Sequence, residues 1–412
     1  MKKRSSTTKK TFLPYGRQHV TPQDIEAVTR VLQSDWLTQG PTIAEFEAAL
    51  GKAVSARHVV ACSSGTAALH IAMLALGVGD GDVVVTTANT FLADANCARF
   101  VGADVAFTDV DPETGLMSLD SLAELLAGDT EHRVKVIIPV HFAGQPIDLA
   151  SVHRLAQEHG AAVVDDACHA LGATYEHDGK SYRVGGSDHS VMTAFSFHPV
   201  KHVAAGEGGA VATSDPDLAE KLKRFRNHGI VREGFENQEM STSPEGEINP
   251  WYHEMPYPSP NYRITDIQAA LGLSQLTRLD GSLERRRHLA SVYDELLPQR
   301  FPGGAVVPLK THSGKSHAYH LYVVLIDFAR YGVSRAAVMN KLREAGIGTQ
   351  VHYIPVPLQP YYRKLLQTSE EDFPGACDYY ARALSIPMYP DLDEEDVNRV
   401  VGELEHILKQ VP

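Results

Sequence analysis

The stretch SFHPVKHVAAGEGG, residues 196–209, places a single lysine, Lys201, between an apolar run and a glycine-rich turn. The apolar run covers residues 191–197, and a second one follows at residues 210–212. An amine that such a backbone holds away from water loses proton affinity and becomes a nucleophile suited to Schiff-base chemistry. The alternative is a surface lysine in a loop between two strands. The other motifs of the chain favour the nucleophile.

Composition excludes several classes of protein. The 412 residues, 43% apolar and 22% charged, are typical of a globular protein with two or three domains. A net charge of -13 disfavours a polynucleotide partner, because phosphates are bound through Lys and Arg. Four widely spaced cysteines form no CxxC pair, which indicates reduced thiols in a cytoplasmic enzyme. No apolar run reaches the length of a membrane span, so no membrane association is expected.

The hydrophobic pattern alternates between short strands and helices after a polar tail at residues 1–12, which is predicted to be disordered. This alternation predicts an α/β fold with a mainly parallel sheet. We assign residues 13–275 to a large domain and 276–412 to a small C-terminal α+β domain. Residues 233–259 lack periodicity and are interpreted as a long loop.

Residues 63–69, Ser-Ser-Gly-Thr-Ala-Ala-Leu, follow a short apolar strand and open an apolar helix. Exposed amide groups and the positive helix terminus suit a phosphate, and the Ser64 and Thr66 hydroxyls add further donors. Ordinary N-capping of the helix is the alternative, and it explains one hydroxyl.

Residues 162–172 deliver two acids, Asp165 and Asp166, at the carboxyl end of an apolar strand, where open α/β sheets bind ligands. A carboxylate there can keep a heterocyclic nitrogen protonated, and His169 can pack on the ring. Alternation along a strand allows only one of the two acids to face the ligand. A metal site built from Asp and His is the alternative, although no third ligand or second motif supports it.

Two further motifs carry weaker signals. Phe91 follows another apolar strand and can cover a planar ligand, with core packing as the alternative. Residues 259–266 form a polar turn before a helix, where Asn261 and Arg263 can bind an anion. Helix capping by Thr265 or Asp266 explains part of that pattern equally well.

Taken together and in this order, these motifs resemble the sugar-nucleotide aminotransferases of the DegT/DnrJ/EryC1/StrS family. The resemblance runs from Leu13 to the C-terminal helix. Within the family, the sequence is most similar to enzymes of the pseudaminic acid pathway. Supporting segments are Leu37–Gly40, Ala270–Leu276 and Gln350–Tyr353.

The resemblance implies an aspartate aminotransferase-like fold that binds pyridoxal 5'-phosphate (PLP), and a homodimer with shared active sites. Lys201 would form the Schiff base with PLP, Asp166 would pair with the ring nitrogen, and His169 would pack against the ring. Gly65, Thr66 and Ser196 would bind the phosphate, together with Asn261 from the partner subunit. Phe91 would cover the other face of the ring. The sugar-nucleotide pocket would be lined by Tyr15, Trp36, Thr38, Arg263 and His320.

The implied reaction moves an amino group from L-glutamate to C4 of a UDP-linked 4-keto-6-deoxy-N-acetylhexosamine. Amination of a 3-keto or dTDP-linked sugar is an alternative. A sister group that dehydrates at C3 carries histidine in place of the lysine, so Lys201 speaks against it. A non-catalytic PLP-binding regulator is the alternative of another class.

The sequence departs from the family pattern in two places. Ser259 and Pro260 replace a Gly-aromatic pair, and Asp94 replaces a small hydroxyl residue. Asp94 either influences the cofactor or caps the helix that follows it.

Overall fold

The computed structural model describes residues 11–410, so most of the predicted N-terminal tail lies outside the described residues. Within this range the strands are β1 His58–Cys62, β2 Val83–Thr87, β3 Asp104–Thr108, β4 Val134–Ile138, β5 Ala162–Asp166, β6 Thr174–His177, β7 Lys180–Arg183, β8 Met192–Ser196, β9 Gly209–Thr213, β10 Val306–Pro308, β11 Lys315–Ser316, β12 Tyr322–Ile326 and β13 Ala383–Ile386.

The α-helices of the same range are α1 Pro22–Leu32, α2 Pro41–Val54, α3 Gly65–Ala75, α4 Leu92–Phe100, α5 Leu119–Gly128, α6 Leu149–Glu158, α7 Pro216–Phe225, α8 Gln238–Ser241, α9 Asp266–Leu276, α10 Leu279–Arg300, α11 Arg335–Glu344, α12 Pro360–Leu366, α13 Pro374–Arg382 and α14 Glu394–Lys409. None of them is long and apolar enough to cross a lipid bilayer.

A seven-stranded sheet in the order β1-β9-β8-β5-β4-β2-β3 forms the centre of the molecule. The strands from β8 to β3 run parallel, and β9 is antiparallel to both of its neighbours. The predicted α/β fold with a mainly parallel sheet is therefore confirmed. The carboxyl ends of β1, β2, β5 and β8 meet at one edge, which is where such sheets bind ligands.

Buried aliphatic strands explain why this sheet is covered by helices. Strand β9 is buried throughout, and β1, β2 and β5 are buried at four of their five positions. Near-continuous apolar strands of this kind require cover on both faces. Helix α3 packs against β1, β8 and β9, α4 against β2 and β3, and α6 against β5.

A second hydrophobic core surrounds the antiparallel sheet β10-β12-β13. Helices α10, α11 and α14 supply much of it, through residues such as Leu289, Leu342 and Leu404. Leu13 joins this core from the other end of the chain and pairs with Ile347. The segment that follows Ile347 returns to the core of the large sheet, where Val356 is buried.

The sequence pattern located most elements but missed some short ones. The apolar strands expected before residues 63–69 and before Phe91 are β1 and β2, whereas β3, α5 and the β6–β7 hairpin were not predicted. The long loop at 233–259 contains the four-residue helix α8.

One buried carboxylate ties distant segments together. Asp266, at the first position of α9, accepts hydrogen bonds from the backbone N–H groups of Gly40 (2.7 Å) and Thr42 (3.0 Å). It therefore caps α2, while Thr265 caps α9 itself through a capping box with Gln268. Of the two capping residues considered from sequence, only Thr265 caps its own helix.

We predict that Asp266→Ala destabilises the protein by about 3 kcal/mol, since two charge-assisted hydrogen bonds at a buried helix terminus are lost. Asp217→Ala is the matched control, because Asp217 is an exposed first-turn acid of α7. Urea unfolding of both variants measures the difference. Equal stabilities of the two variants would contradict a capping role for Asp266.

Candidate active site

A cavity of about 600 Å³ opens at the sheet edge where the carboxyl ends of the parallel strands meet. Nine of the thirteen site residues predicted from sequence line it: Tyr15, Gly65, Thr66, Phe91, Asp166, His169, Ser196, Lys201 and His320. The structure thus brings together side chains that lie up to 305 positions apart in the sequence.

The Lys201 amine borders this cavity and is held by a loop with several anchors. Ala204 N–H donates to Gln275 Oε1 (3.0 Å), and His202 Nε2 donates to the Ala318 carbonyl (2.9 Å). Lys201 N–H itself donates to the His198 carbonyl, closing the proline turn. Burial lowers the pKa of the Lys201 amine below its ordinary value, while Cys168 and Asp166 act in the opposite direction. The amine is therefore prepared to act as a nucleophile.

Adjacent acids of β5 point in opposite directions. Asp166 lines the cavity, where its Oδ1 accepts a hydrogen bond from Cys168 N–H (2.8 Å). Asp165 is fully buried elsewhere and is bonded to His141 Nε2 (2.9 Å) and to the Thr193 hydroxyl (2.7 Å). The alternation predicted for the two acids is therefore observed, and Asp166 is the one that a ligand can reach.

His169 is fixed as a neutral ring. Its Nδ1 accepts a hydrogen bond from Ala143 N–H (3.3 Å), and its Nε2 lies 3.2 Å from the Tyr353 hydroxyl. Burial, with a contribution from Lys201, lowers the pKa of His169 well below its ordinary value. The ring packs on His320, with 4.4 Å between centroids, and the pKa of His320 is lowered by the same causes. Two adjacent imidazole rings, whose charged forms burial disfavours, therefore form part of the cavity wall.

The start of α3 forms one end of the cavity. Ser64 caps this helix by accepting a hydrogen bond from Ala67 N–H (3.1 Å), as the capping alternative predicted for one hydroxyl. A Cβ at Gly65 would lie 3.0 Å from Ser196 Cβ and 3.2 Å from Cys168 Sγ. A Cβ at Gly209 would lie 2.2 Å from the Ser64 carbonyl oxygen. Glycine at both positions lets three backbone segments converge on a helix N-terminus, which is a favourable anion site.

Four predicted site residues do not border the cavity of this chain: Trp36, Thr38, Asn261 and Arg263. Thr38 pairs with Thr265 and Asn261 pairs with Asn227, so the two segments lie on one surface. Trp36 is 55% exposed there, and Arg263 donates to Asn227 Oδ1 (2.6 Å).

The sequence predicted no role for His352 and Tyr353, and it left two alternatives open for Asp94. His352 and Tyr353 line the cavity from the segment that follows α11, and only the family likeness of residues 350–353 drew attention to them. Asp94 is fully buried beside Asp166 and accepts a hydrogen bond from the Thr90 hydroxyl. The N-cap of α4 is Phe91, so Asp94 does not serve as that cap.

These features fit PLP. The α3 terminus with Gly65 and Ser196 suits its phosphate, the Asp166 carboxylate suits its ring nitrogen, and the Lys201 amine suits its aldehyde. The volume and the aromatic wall suit a planar heterocycle. Fold and site together define a PLP-dependent enzyme with the aspartate aminotransferase-like architecture.

Comparisons with known proteins agree with this class. The sequence matches the DegT/DnrJ/EryC1/StrS aminotransferase family over residues 18–405. It is 39% identical over 399 residues to the spore coat polysaccharide biosynthesis protein SpsC of Bacillus subtilis, covering 97% of each chain.

Two solved structures show the same architecture. PseC of Helicobacter pylori, an aminotransferase involved in pseudaminic acid biosynthesis, superimposes with a TM-score of 0.85 at 28% identity, covering 97% of this chain and 100% of PseC. The PMP form of Spr1654 from Streptococcus pneumoniae gives a TM-score of 0.85 at 27% identity, covering 97% and 100%. Spr1654 has also been solved in a PLP form.

The chain belongs to the DegT/DnrJ/EryC1/StrS aminotransferase family. It is a sugar aminotransferase whose cofactor is PLP.

We predict that Gly65→Ala weakens PLP binding by about tenfold or more, because the new methyl group crowds Ser196 at the phosphate end. Gly128→Ala is the matched control, since a Cβ at this position, the last of α5, meets no atom within 4 Å. Equilibrium titration of the cofactor-free proteins with PLP measures both affinities. Unchanged PLP affinity in Gly65→Ala would show that the phosphate binds elsewhere.

Proposed function

We propose that the enzyme transfers an amino group from L-glutamate to C4 of a UDP-linked 4-keto-6-deoxy-N-acetylhexosamine, as in pseudaminic acid biosynthesis. The likeness to PseC over the full length of both chains carries this proposal. The relation to SpsC, a polysaccharide biosynthesis protein, supports an activated sugar as the amino acceptor. We place the enzyme in the cytoplasm, which is supported by four cysteines that are all free thiols.

Lys201 is proposed as the group that moves protons. Its amine, whose pKa burial lowers, takes the α-proton from glutamate in the first half-reaction and delivers a proton to C4 of the sugar in the second. PLP supplies the electron sink that makes these proton transfers feasible. Burial lowers the pKa values of His169, His202 and His320 near this lysine well below their ordinary value, which disfavours imidazolium ions that would compete for the proton.

Asp166 and His169 are proposed to hold the cofactor in its active state. The Asp166 carboxylate keeps a proton on the ring nitrogen, where a positive charge strengthens the electron sink. His169 packs against the ring, and its two hydrogen bonds to Ala143 and Tyr353 prevent rotation. Gly65, Thr66 and Ser196 hold the phosphate, and Phe91 covers the opposite ring face.

The functional unit is proposed to be a homodimer with shared sites. Asn261 is exposed and away from the cavity of its own chain, and the same holds for Trp36 and Thr38. Their position suits a role in the cavity of the partner subunit, with Asn261 at the phosphate. Tyr15 and His320 would contact the sugar nucleotide from within the same chain, and Arg263 would do so from the shared surface.

Substrate choice is tested by incubating the PLP-loaded enzyme with glutamate and a panel of UDP-4-keto, dTDP-4-keto and dTDP-3-keto sugars. We expect the UDP-4-keto-6-deoxy-N-acetylhexosamine to give the highest kcat/KM for amine product, measured by mass spectrometry. Lys201→Ala is the negative control, because it lacks the amine that links to PLP and moves protons. Preference for a 3-keto dTDP sugar would replace the proposed substrate and leave the aminotransferase assignment intact.

Site sharing is tested by mixing unfolded Lys201→Ala and Asn261→Ala subunits and refolding them at limiting PLP. Each variant alone is expected to be inactive, whereas random pairing into symmetric dimers restores about a quarter of wild-type activity through heterodimers with one intact site. Lys201→Ala mixed with Asp166→Asn is the matched control, because both changes affect the cavity of their own chain. Equal activities of the two mixtures would contradict shared sites.

A further inference from the structure

A second acid, Asp94, lies beside Asp166 in the protein interior and has no role in the reaction described above. Its side chain is 0% exposed, and it projects from the first turn of α4. Asp166, the last residue of strand β5, lies within hydrogen-bonding reach of it. Two carboxyl groups in such contact cannot both be ionised without strong repulsion.

The hydrogen-bond donors around Asp94 are too few for a buried carboxylate. Thr90 donates its hydroxyl to Oδ2, whereas Oδ1 receives no hydrogen bond from any described residue. A buried and ionised oxygen without a donor is costly, and a proton on Oδ1 would turn the contact with Asp166 into a hydrogen bond. Asp166 already accepts one hydrogen bond from Cys168 N–H, so Asp94 would add a second donor.

We propose that Asp94 remains protonated in the native enzyme and donates a hydrogen bond to Asp166, so that a carboxyl–carboxylate pair with one negative charge faces the cofactor. Asp94 is then a positioning residue that acts through Asp166. This proposal rests on the proposed function in one respect, namely that Asp166 faces the ring nitrogen of PLP.

The charges around Asp94 are consistent with that state. Burial first, and Asp166 second, raise the pKa of the Asp94 carboxyl well above its ordinary value, while Thr90 and Lys201 act in the opposite direction. The thiols of Cys97 and Cys168 also interact with Asp94, and burial raises their pKa values as well. Lys201 is the cation that acts on both Asp94 and Asp166 among the residues described.

One negative charge rather than two has a consequence for catalysis. A pair with a single charge balances one protonated ring nitrogen and leaves the Lys201 amine without a second counter-charge that would hold its proton. With two ionised acids, the Lys201 ammonium would be stabilised instead. With one proton shared by the two acids, Asp166 can keep the ring nitrogen protonated while the Lys201 amine can still lose its own proton.

Infrared spectroscopy of full-length protein labelled with 13C-carboxyl aspartate detects the proton directly, with and without PLP. We expect the isotope-shifted band of a protonated, buried carboxyl at pH 7.5. This band should be absent from Asp94→Asn and should persist, shifted, in Asp166→Asn. No protonated-carboxyl band in the wild type would overturn the proposal, as would a band that only Asp166→Asn removes.

The pH dependence of stability gives an independent measurement. The native state would hold a proton that unfolded Asp94 releases above pH of about 4, so rising pH destabilises the wild type relative to Asp94→Asn. Urea unfolding of the cofactor-free proteins between pH 5 and 8 measures the folding constant of the wild type relative to that of Asp94→Asn. This ratio should fall by up to about tenfold for each unit of rising pH, until Asp94 ionises in the native state as well. A stability difference between the wild type and Asp94→Asn that does not change with pH would overturn the proposal.

Asp24 provides the matched control. It is equally buried, and although burial opposes it, hydrogen bonds from Arg278 and Ser274 lower the pKa of its carboxyl. Asp24 is therefore ionised in both the native and the unfolded state between pH 5 and 8. The difference in the free energy of unfolding between the wild type and Asp24→Asn should stay constant over this range. Asp94→Thr, which restores a small hydroxyl, replaces Asp94→Asn should the amide fail to fold.

The infrared and the urea measurements both give their result without PLP and without a sugar substrate, so they test the protonation of Asp94 independently of the proposed function. A protonated Asp94 in an enzyme that aminates none of the UDP sugars would leave the acid pair intact and remove only the substrate assignment. Activity on the proposed sugar together with an ionised Asp94 would remove the acid-pair proposal and leave the substrate assignment intact.

Discussion

Desolvation of the Lys201 amine is the constraint on which the rest of the site depends. An ammonium group at this position would be costly, and the same burial disfavours a positive charge on the histidines around it. His169, His202, His320 and His352 all have a pKa lowered primarily by burial and further by Lys201. The histidines therefore serve as aromatic surfaces whose charged form burial disfavours, and the carboxyl groups that act on the amine are those of Asp166 and Asp94.

The sheet topology makes this desolvation possible. Strand β9 runs antiparallel between β1 and β8, so the chain must turn back between Ser196 and Gly209 directly over the sheet edge. Lys201 lies in that return loop, and α9 holds the loop from behind through Gln275 and Gln268. Because the return is short and anchored at both ends, the lysine has little freedom to reach bulk water.

Much of this arrangement could be predicted from the sequence, because its signals are local. A strand followed by small residues and a helix marks the proposed phosphate end at Gly65, and alternation in β5 separates Asp165 from Asp166. The contacts that sequence could not give are long-range ones. The position of Tyr353 beside His169 depends on how the segment after α11 returns to the large core. The contact between Asp94 and Asp166 depends on how the sheet places β5 relative to α4, which lies about 70 residues earlier in the sequence and packs against β2 and β3.

The residues outside the cavity show how stability and binding are connected. Asp266 binds the amides at the start of α2, and the Thr38–Thr265 pairing continues the same contact. The segment that carries Trp36 and Thr38 is thereby fixed to the segment that carries Asn261 and Arg263. The two proposed contributors to the partner's site are therefore one rigid surface rather than two independent loops. A substrate that contacts either segment would meet a surface whose geometry is already set by folding, and it need not order two loops on binding.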